Sequence, residues 1–308
     1  MAAHSREAWQ QGTRMFGERL GHSVGFWRST GGLSGLRFIR LCLGRFIVPA
    51  TPPVSLSVII ITLNEASNIA DCLAGVSFAD EIVVLDSGSI DQTAELARAA
   101  GAVVHISPDW PGFGPQKNRA LALAGCDWVL SLDADERVTP ELAAQIQQAM
   151  AGGGGLAYKL PRLTQFCGRW IYHCGWTPDH VLRLFRRGTA RFTDDMVHER
   201  LVLNQGKMES LQAPLLHFSY PTPAHYWRKL DQYSQAWARQ RHAMGQTTSM
   251  SRAALAGVVA FVRAYIFRLG FLDGAMGFAV CTMQAQAAFG KYFALYCLNQ
   301  DHEAPTNP

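Results

Sequence analysis

A chain of 308 residues, 48% hydrophobic and 17% charged at a mean hydropathy of +0.01, has the make-up of a packed globular protein long enough to bury a sizeable core, which excludes disorder as its dominant state. Its formal charge of +4 is unevenly placed: residues 1–50 hold seven Arg against two Glu, and residues 219–300 hold eight Lys or Arg against two Asp, so both flanks suit an anionic partner, a membrane surface or a nucleic acid. Seven cysteines, odd in number and never spaced as a C-x-x-C pair, argue against a disulfide frame or a structural zinc and fit a reducing compartment.

Residues 1–52 read as a basic extension, within which 36–48, apolar and Arg-bearing, are compatible with a short amphipathic helix. Residues 1–19 hold no apolar run of the kind a secretory signal needs, so the protein is expected in the cytoplasm. From Pro52 the pattern becomes regular. The β-branched-rich runs 57–62, 81–85, 103–106 and 128–132 read as buried strands. Between them, Ser89-x-x-Gln92 has the pattern of a capping box opening a helix that Gly101 closes, and Gly125 closes another. Thr139-Pro140-Glu141 puts a cap, a first-turn proline and an acid at the start of a further helix.

Strand, helix, strand at this spacing predicts right-handed βαβ units, that is, an α/β fold with a parallel sheet covered by helices on both faces. The glycines at 152–155 punctuate the chain; beyond them 156–187 predicts further strands and 221–296 is mostly helical. No run reaches the roughly 20 apolar residues of a membrane span. The run 253–262 is stopped by Arg263 and Arg268, and 271–283 contains Asp273, so a segment lying on a membrane surface is the expectation.

In such a sheet ligands belong at the carboxyl ends of the strands. After the first strand, Thr62-Leu63-Asn64-Glu65-Ala66-Ser67-Asn68 offers neither G-x-G-x-x-G nor a P-loop, so polar side chains rather than a glycine cradle face a base or ribose there. The second strand ends in Asp86-Ser87-Gly88-Ser89-Ile90-Asp91; Asp86 either meets a nucleobase N–H or caps the next helix, as Asp91 does. The fourth ends in Asp133-Ala134-Asp135-Glu136, two carboxylates able to hold a hard divalent cation while a diphosphate fills its other positions. Gly114-Pro115-Gln116-Lys117-Asn118-Arg119 opens a helix with cations, which either neutralise a diphosphate or form a solvated first turn.

Residues 57–86, Lys117-Asn118 and Asp133-Ala134-Asp135-Glu136, in order at the expected strand ends, resemble the nucleotide-sugar-binding half of glycosyltransferase family 2, the inverting enzymes of GT-A fold. Val197-His198-Glu199 and Gly270-Phe271-Leu272-Asp273-Gly274, followed by Gly277 and Lys291-Tyr292, are similar to a narrower group, bacterial lipopolysaccharide core-biosynthesis glycosyltransferases. The resemblance implies a Rossmann-like, mostly parallel GT-A domain over 53–220, a helical and membrane-associating region over 221–300, and a tail over 301–308. It implies that Thr62, Asn64, Glu65, Asp86 and Ser87 contact the uridine of a UDP-sugar and that Lys117 and Asn118 lie near the nucleotide. Asp133 would then contact ribose or a metal, Mg2+ or Mn2+, held by Asp135 with His198 as a third ligand. For the catalytic base Asp194-Asp195 fits the acidic pair of many members, whereas Glu199 fits the narrower group and is favoured over Asp195.

The expected reaction is a single displacement in which a carboxylate takes the proton of an acceptor hydroxyl and the nucleotide leaves from the opposite face. The processive Q-x-x-R-W signature is absent, so one hexose, glucose or another, is transferred per acceptor. The expected acceptor is a lipid-linked lipopolysaccharide core oligosaccharide, with residues 261–296 holding the enzyme at the inner face of the cytoplasmic membrane. Alternatives are a polyprenyl-phosphate sugar transferase, which spanning helices would support, and a non-catalytic nucleotide-sugar-binding protein. No nucleic-acid module is present, so no nucleic-acid partner is expected.

Overall fold

The computed structural model describes residues 54–301 apart from 153, 195–198 and 205, so the helix expected at 36–48 lies outside the described residues. The first half alternates strand and helix: β1 (Leu56–Thr62), α1 (Ile69–Ala74), β2 (Glu81–Asp86), α2 (Thr93–Ala99), β3 (Val103–Ile106), α3 (Phe113–Leu123) and β4 (Trp128–Asp133). These strands pair in the order β3-β2-β1-β4, all parallel. Every residue of β1 is buried, and its side chains alternate between two cores. Val58 and Ile60 join Ile69 and Leu73 of α1 on one face, while Ile59 and Ile61 join Ala120 of α3 on the other. Helices on both faces are what a continuous apolar run such as Val-Ile-Ile-Ile requires.

The fourth predicted strand, β4, and the helix opened by Thr139 form as expected; Thr139 Oγ1 accepts the Leu142 N–H at 3.1 Å. Two expectations change. β3 lies at the sheet edge with Val103 and Ile106 exposed, because its β-branched residues suit an extended backbone whether or not anything covers them. Ser89 and Gln92 do not form a capping box; Asp91 accepts the Thr93 N–H at 3.0 Å and caps α2, which frees Ser89 for the neighbouring turn.

The second half adds β5 (Glu136–Val138), α4 (Pro140–Gly152), β6 (Ala157–Phe166), β7 (Arg169–Ile171), β8 (Asp179–Arg186), β9 (Ala190–Phe192), β10 (Leu201–Leu203), β11 (Met208–Ser210) and β12 (Leu215–Tyr220). The sheet continues from β4 as β8-β6-β12-β5, with β7 and β11 also paired to β6, while β9 and β10 form a separate antiparallel pair. Past β4 the sheet is mixed: β8 is antiparallel to β4 and β6, β12 parallel to β6. Along β6 and β8 the pairs Tyr158↔Leu184 and Lys159↔Leu182 leave Arg183 as an extra, unpaired residue, a β-bulge.

The chain then turns helical, as expected: α5 (Pro223–Ala243), α6 (Met250–Val262), a π turn (Arg263–Phe267), a 3-10 turn (Gly270–Asp273) and α7 (Gly274–Asp301). Tyr226 of α5 packs its ring on Phe166 and Tyr220 of the sheet, and Val280 and Cys281 of α7 join the same core. A Cβ on Gly277 would collide with the carbonyl of Gly270, so the glycines of the G-F-L-D-G segment let two backbones touch. Residues 250–267 form one helical stretch long and apolar enough by length and composition to cross a membrane, with 17% of it buried. The helix and its apolar character continue through Arg263, the residue expected to end the run 253–262.

Candidate active site

The carboxyl ends of β1, β2 and β4 meet because their registers align, Thr62 opposite Asp86 and Ile61 opposite Asp133. Asp86 is buried, and its carboxylate accepts Thr62 Oγ1–H (2.8 Å), Ser89 Oγ–H (2.6 Å), Ser89 N–H (2.8 Å) and Gly88 N–H (3.0 Å). Those four bonds fill the acceptor sites of one carboxylate, so contact with a uracil requires the exchange of one of them. The first loop is tied to the second: Asn64, at φ 58°, donates its N–H to Ser89 Oγ (2.8 Å) and accepts the Ile90 N–H (2.9 Å), and Glu65 N–H reaches Thr93 Oγ1 (2.8 Å). Burial pushes the Glu65 carboxyl above its ordinary range, against the hydrogen bond from Asn68.

Beside this wall runs a chain of alternating charge. Lys117 on α3 is buried and joins Asp133 Oδ1 at 2.9 Å to Glu199 Oε1 at 2.8 Å. Arg183 Nη2, turned inward at the bulge, bonds Asp133 Oδ2 at 2.5 Å and the fully buried Glu136 at 2.6 Å. Arg162 continues it, 3.5 Å from Glu136 and 2.6 Å from Asp179. Burial opposes ionisation of Asp133, but the charges of Arg183 and Lys117 outweigh it and hold its carboxyl well below the usual carboxylate range. Asp135 Oδ2 lies 3.4 Å from His217 Nε2, whose Nδ1 is 3.3 Å from Thr164 Oγ1. Burial raises the Asp135 carboxyl, and the His217 hydrogen bond and charge more than offset it, leaving it lowered.

The structure thus brings together Thr62, Asn64, Glu65, Asp86, Lys117, Asp133 and Glu199, residues expected at one site from separate parts of the chain. Lys117 is no solvated first turn; only Arg119 of that segment is, paired at 2.7 Å with Asp109. Two of the expected contact residues are tied into the fold. Asn118 both donates to and accepts from the Phe192 backbone at 2.9 Å, fixing β9. Ser87 is buried and takes the Gln116 side chain at 3.1 Å. Asp194 pairs with Arg191 at the surface, whereas Glu199 reaches Lys117. Asp195 and His198 lie outside the described residues.

Arg183, Arg162, Glu136 and His217 were not singled out as site residues. An Arg inside the apolar Val-Leu-Arg-Leu-Phe run is the one sequence signal for Arg183, since a buried guanidinium demands a carboxylate.

Residues 57–232 match the profile described as glycosyl transferase family 2. Over 250 residues the chain is 30% identical to the lipopolysaccharide core biosynthesis glycosyltransferase LpsC of Rhizobium meliloti, covering 77% of this chain and 90% of that one. Over 246 residues it is 30% identical to an uncharacterised glycosyltransferase of Rickettsia typhi, covering 76% and 84%. A solved structure of glucosyl-3-phosphoglycerate synthase from Mycobacterium tuberculosis with Mn2+, UDP and glucosyl-3-phosphoglycerate is 29% identical over 37% of this chain and 45% of that chain, at a TM-score of 0.31, too low to speak for the chemistry here. The chain belongs to glycosyltransferase family 2, and with the α/β architecture described above it is a glycosyltransferase.

Proposed function

We propose that this enzyme moves one hexose, glucose or another, from a UDP-sugar to a lipid-linked core oligosaccharide at the inner face of the bacterial cytoplasmic membrane, inverting the anomeric carbon. Lys117 carries the reading. It bonds Asp133 on the donor rim and Glu199, 82 residues further along the chain, so a nucleotide-facing carboxylate and the favoured base share one buried cation. The 30% identity to LpsC supports a lipopolysaccharide core acceptor.

The loop 62–65 and the Asp86 turn form a polar wall for uridine. Asp133, with both oxygens on cations, suits a ribose hydroxyl better than a metal. No cluster of three His, Cys, Asp or Glu able to hold a metal exists among the described residues. Asp135 nonetheless fits Mg2+ or Mn2+, because such ions take one or two carboxylates and complete their shell with substrate phosphates; His198 is the further candidate ligand. A bound ion of this kind supplies positive charge to the departing diphosphate.

When the diphosphate arrives it competes for the ammonium of Lys117. Glu199 is then released to accept the proton of the acceptor hydroxyl as that oxygen attacks the anomeric carbon and the UDP leaves with the bonding pair. Glu199→Gln should lower turnover by about 10²–10⁴-fold while calorimetric UDP binding changes little; full turnover in that variant sinks the base assignment. Nucleotide release from a panel of UDP-sugars, with and without chelator, tests donor and cation. Release from none of them overturns the donor class, and release indifferent to chelator overturns the metal.

A further inference from the structure

Resting on the proposal that the acceptor is membrane-borne, we infer that the cleft between α6 and α7 binds the phosphate of a membrane-lipid headgroup, with α6 lying along the bilayer surface beside it. The cleft, ≈ 620 Å³, is lined by Arg252, Arg263, Arg268 and Lys291 and by no acidic side chain. None of the four is paired with a carboxylate among the described residues. The Arg252 guanidinium rests over the Tyr292 ring (5.7 Å) and the Lys291 ammonium over Trp237 (5.3 Å), contacts that hold both charges at the cleft wall without neutralising them. Four like charges in one cleft repel one another until an anion joins them.

The neighbouring surface decides the kind of anion. Leu255, Val258, Val259, Val262 and Ile266 recur at helical spacing and are exposed, Leu255 by 62%, and Phe267 beyond them by 76%. Leu255 and Val259 also line the cleft, so cations and apolar stripe share one rim. A free anion needs only the cations; an exposed apolar stripe alongside needs an apolar phase. The helix is long enough to span, yet spanning would carry Arg252 and Arg263 into or past hydrocarbon, whereas an in-plane helix sets every cation at headgroup level. The small residues Ala253, Gly257 and Ala264 are buried, so the opposite face of the same helix is already packed.

The G-F-L-D-G segment gives this cleft its shape. Gly270 and Gly277 bring the turn onto α7, and Asp273 holds His173 through its N–H and Nδ1, both at 2.8 Å, which seats Cys174 and Gly175 at the rim. Gln284 of α7 borders the cleft and also the ≈ 450 Å³ cavity that contains Arg162, Asp179 and His217. A glycolipid held by its phosphate would therefore have its sugars directed along α7 toward the carboxylate network.

The test is co-sedimentation of the full chain with phosphatidylethanolamine vesicles containing phosphatidylglycerol. Arg263→Gln/Arg268→Gln should weaken partitioning about five-fold per charge removed, and the double Lys variant should retain it. Removing two exposed charges elsewhere, Arg98→Gln/Arg239→Gln, should leave binding near wild type, and Leu255→Ser/Phe267→Ser should weaken it. Equal binding of the double Gln variant, or equal binding to phosphatidylcholine vesicles, overturns the site. Displacement by millimolar inorganic phosphate overturns the lipid as its ligand. Charge-dependent vesicle binding without transfer to any core acceptor supports the lipid site and defeats only the acceptor reading.

Discussion

Arg183 shows how much a single side chain organises here. Its Nη2 serves Asp133 and Glu136 together, both from inside the fold, and its Nε is buried without a partner among the described residues. Removing the guanidinium leaves two carboxylates facing each other with half their compensation gone. Arg183→Gln should therefore cost about 3–5 kcal/mol, the range for breaking a buried pair from one side, read as a fall in the urea midpoint at unchanged slope. Arg183→Lys should recover only part, since one ammonium cannot reproduce the planar reach of the fork. These residues were hard to foresee. Asp133 and Asp135 stand out because two acids end an apolar strand; Arg183 sits 50 and 47 residues from its partners, and nothing local says which carboxylates it will meet.

At the scale of elements, long buried strands and capped helices are legible and three-residue strands are not. β1, β2 and β4 declare themselves by β-branched runs, and α4 by its threonine and proline. β5, β7, β9, β10 and β11 are three residues each, shorter than any period they could display, and exist because a neighbour supplies the ladder. The glycines of the turn before α7 are legible as a motif but not as a reason. The structure supplies the reason as backbone-to-backbone contact, so Gly277→Ala should act as overpacking, lowering stability by roughly 1–3 kcal/mol or more. A thermal melt should show it, and a melt unchanged by the methyl would mean the two turns can part without cost.

For the molecule as a whole, the joint between sheet and helices is aromatic and carries a pH limit. Tyr226, buried against Phe166 and Tyr220, has its phenol pushed above the ordinary value chiefly by burial, with the nearby Tyr220 adding to it. A raised native pKa means the unfolded chain gives up this proton first. The stability it contributes is intact below pH 10 and declines as pH rises from there toward the native value, by about 1.4 kcal/mol per pH unit. Tyr226→Phe should shift alkaline unfolding to higher pH with little change at neutrality, measured by circular dichroism along a base titration. A midpoint that stays put would place the alkaline weakness elsewhere, Cys72 being the next candidate, its thiol pushed up to about 12 by burial.

The irregular pairing of β6 with β8 has a consequence for how the chain can drift over generations. Deleting one residue near position 183 would restore a regular ladder and could leave the sheet intact, yet strict alternation would swing the guanidinium to the opposite face. Descendants that lose or gain a residue there would keep the scaffold and forfeit the grip on Asp133, so length changes in that strand should be found only in copies that have abandoned sugar transfer.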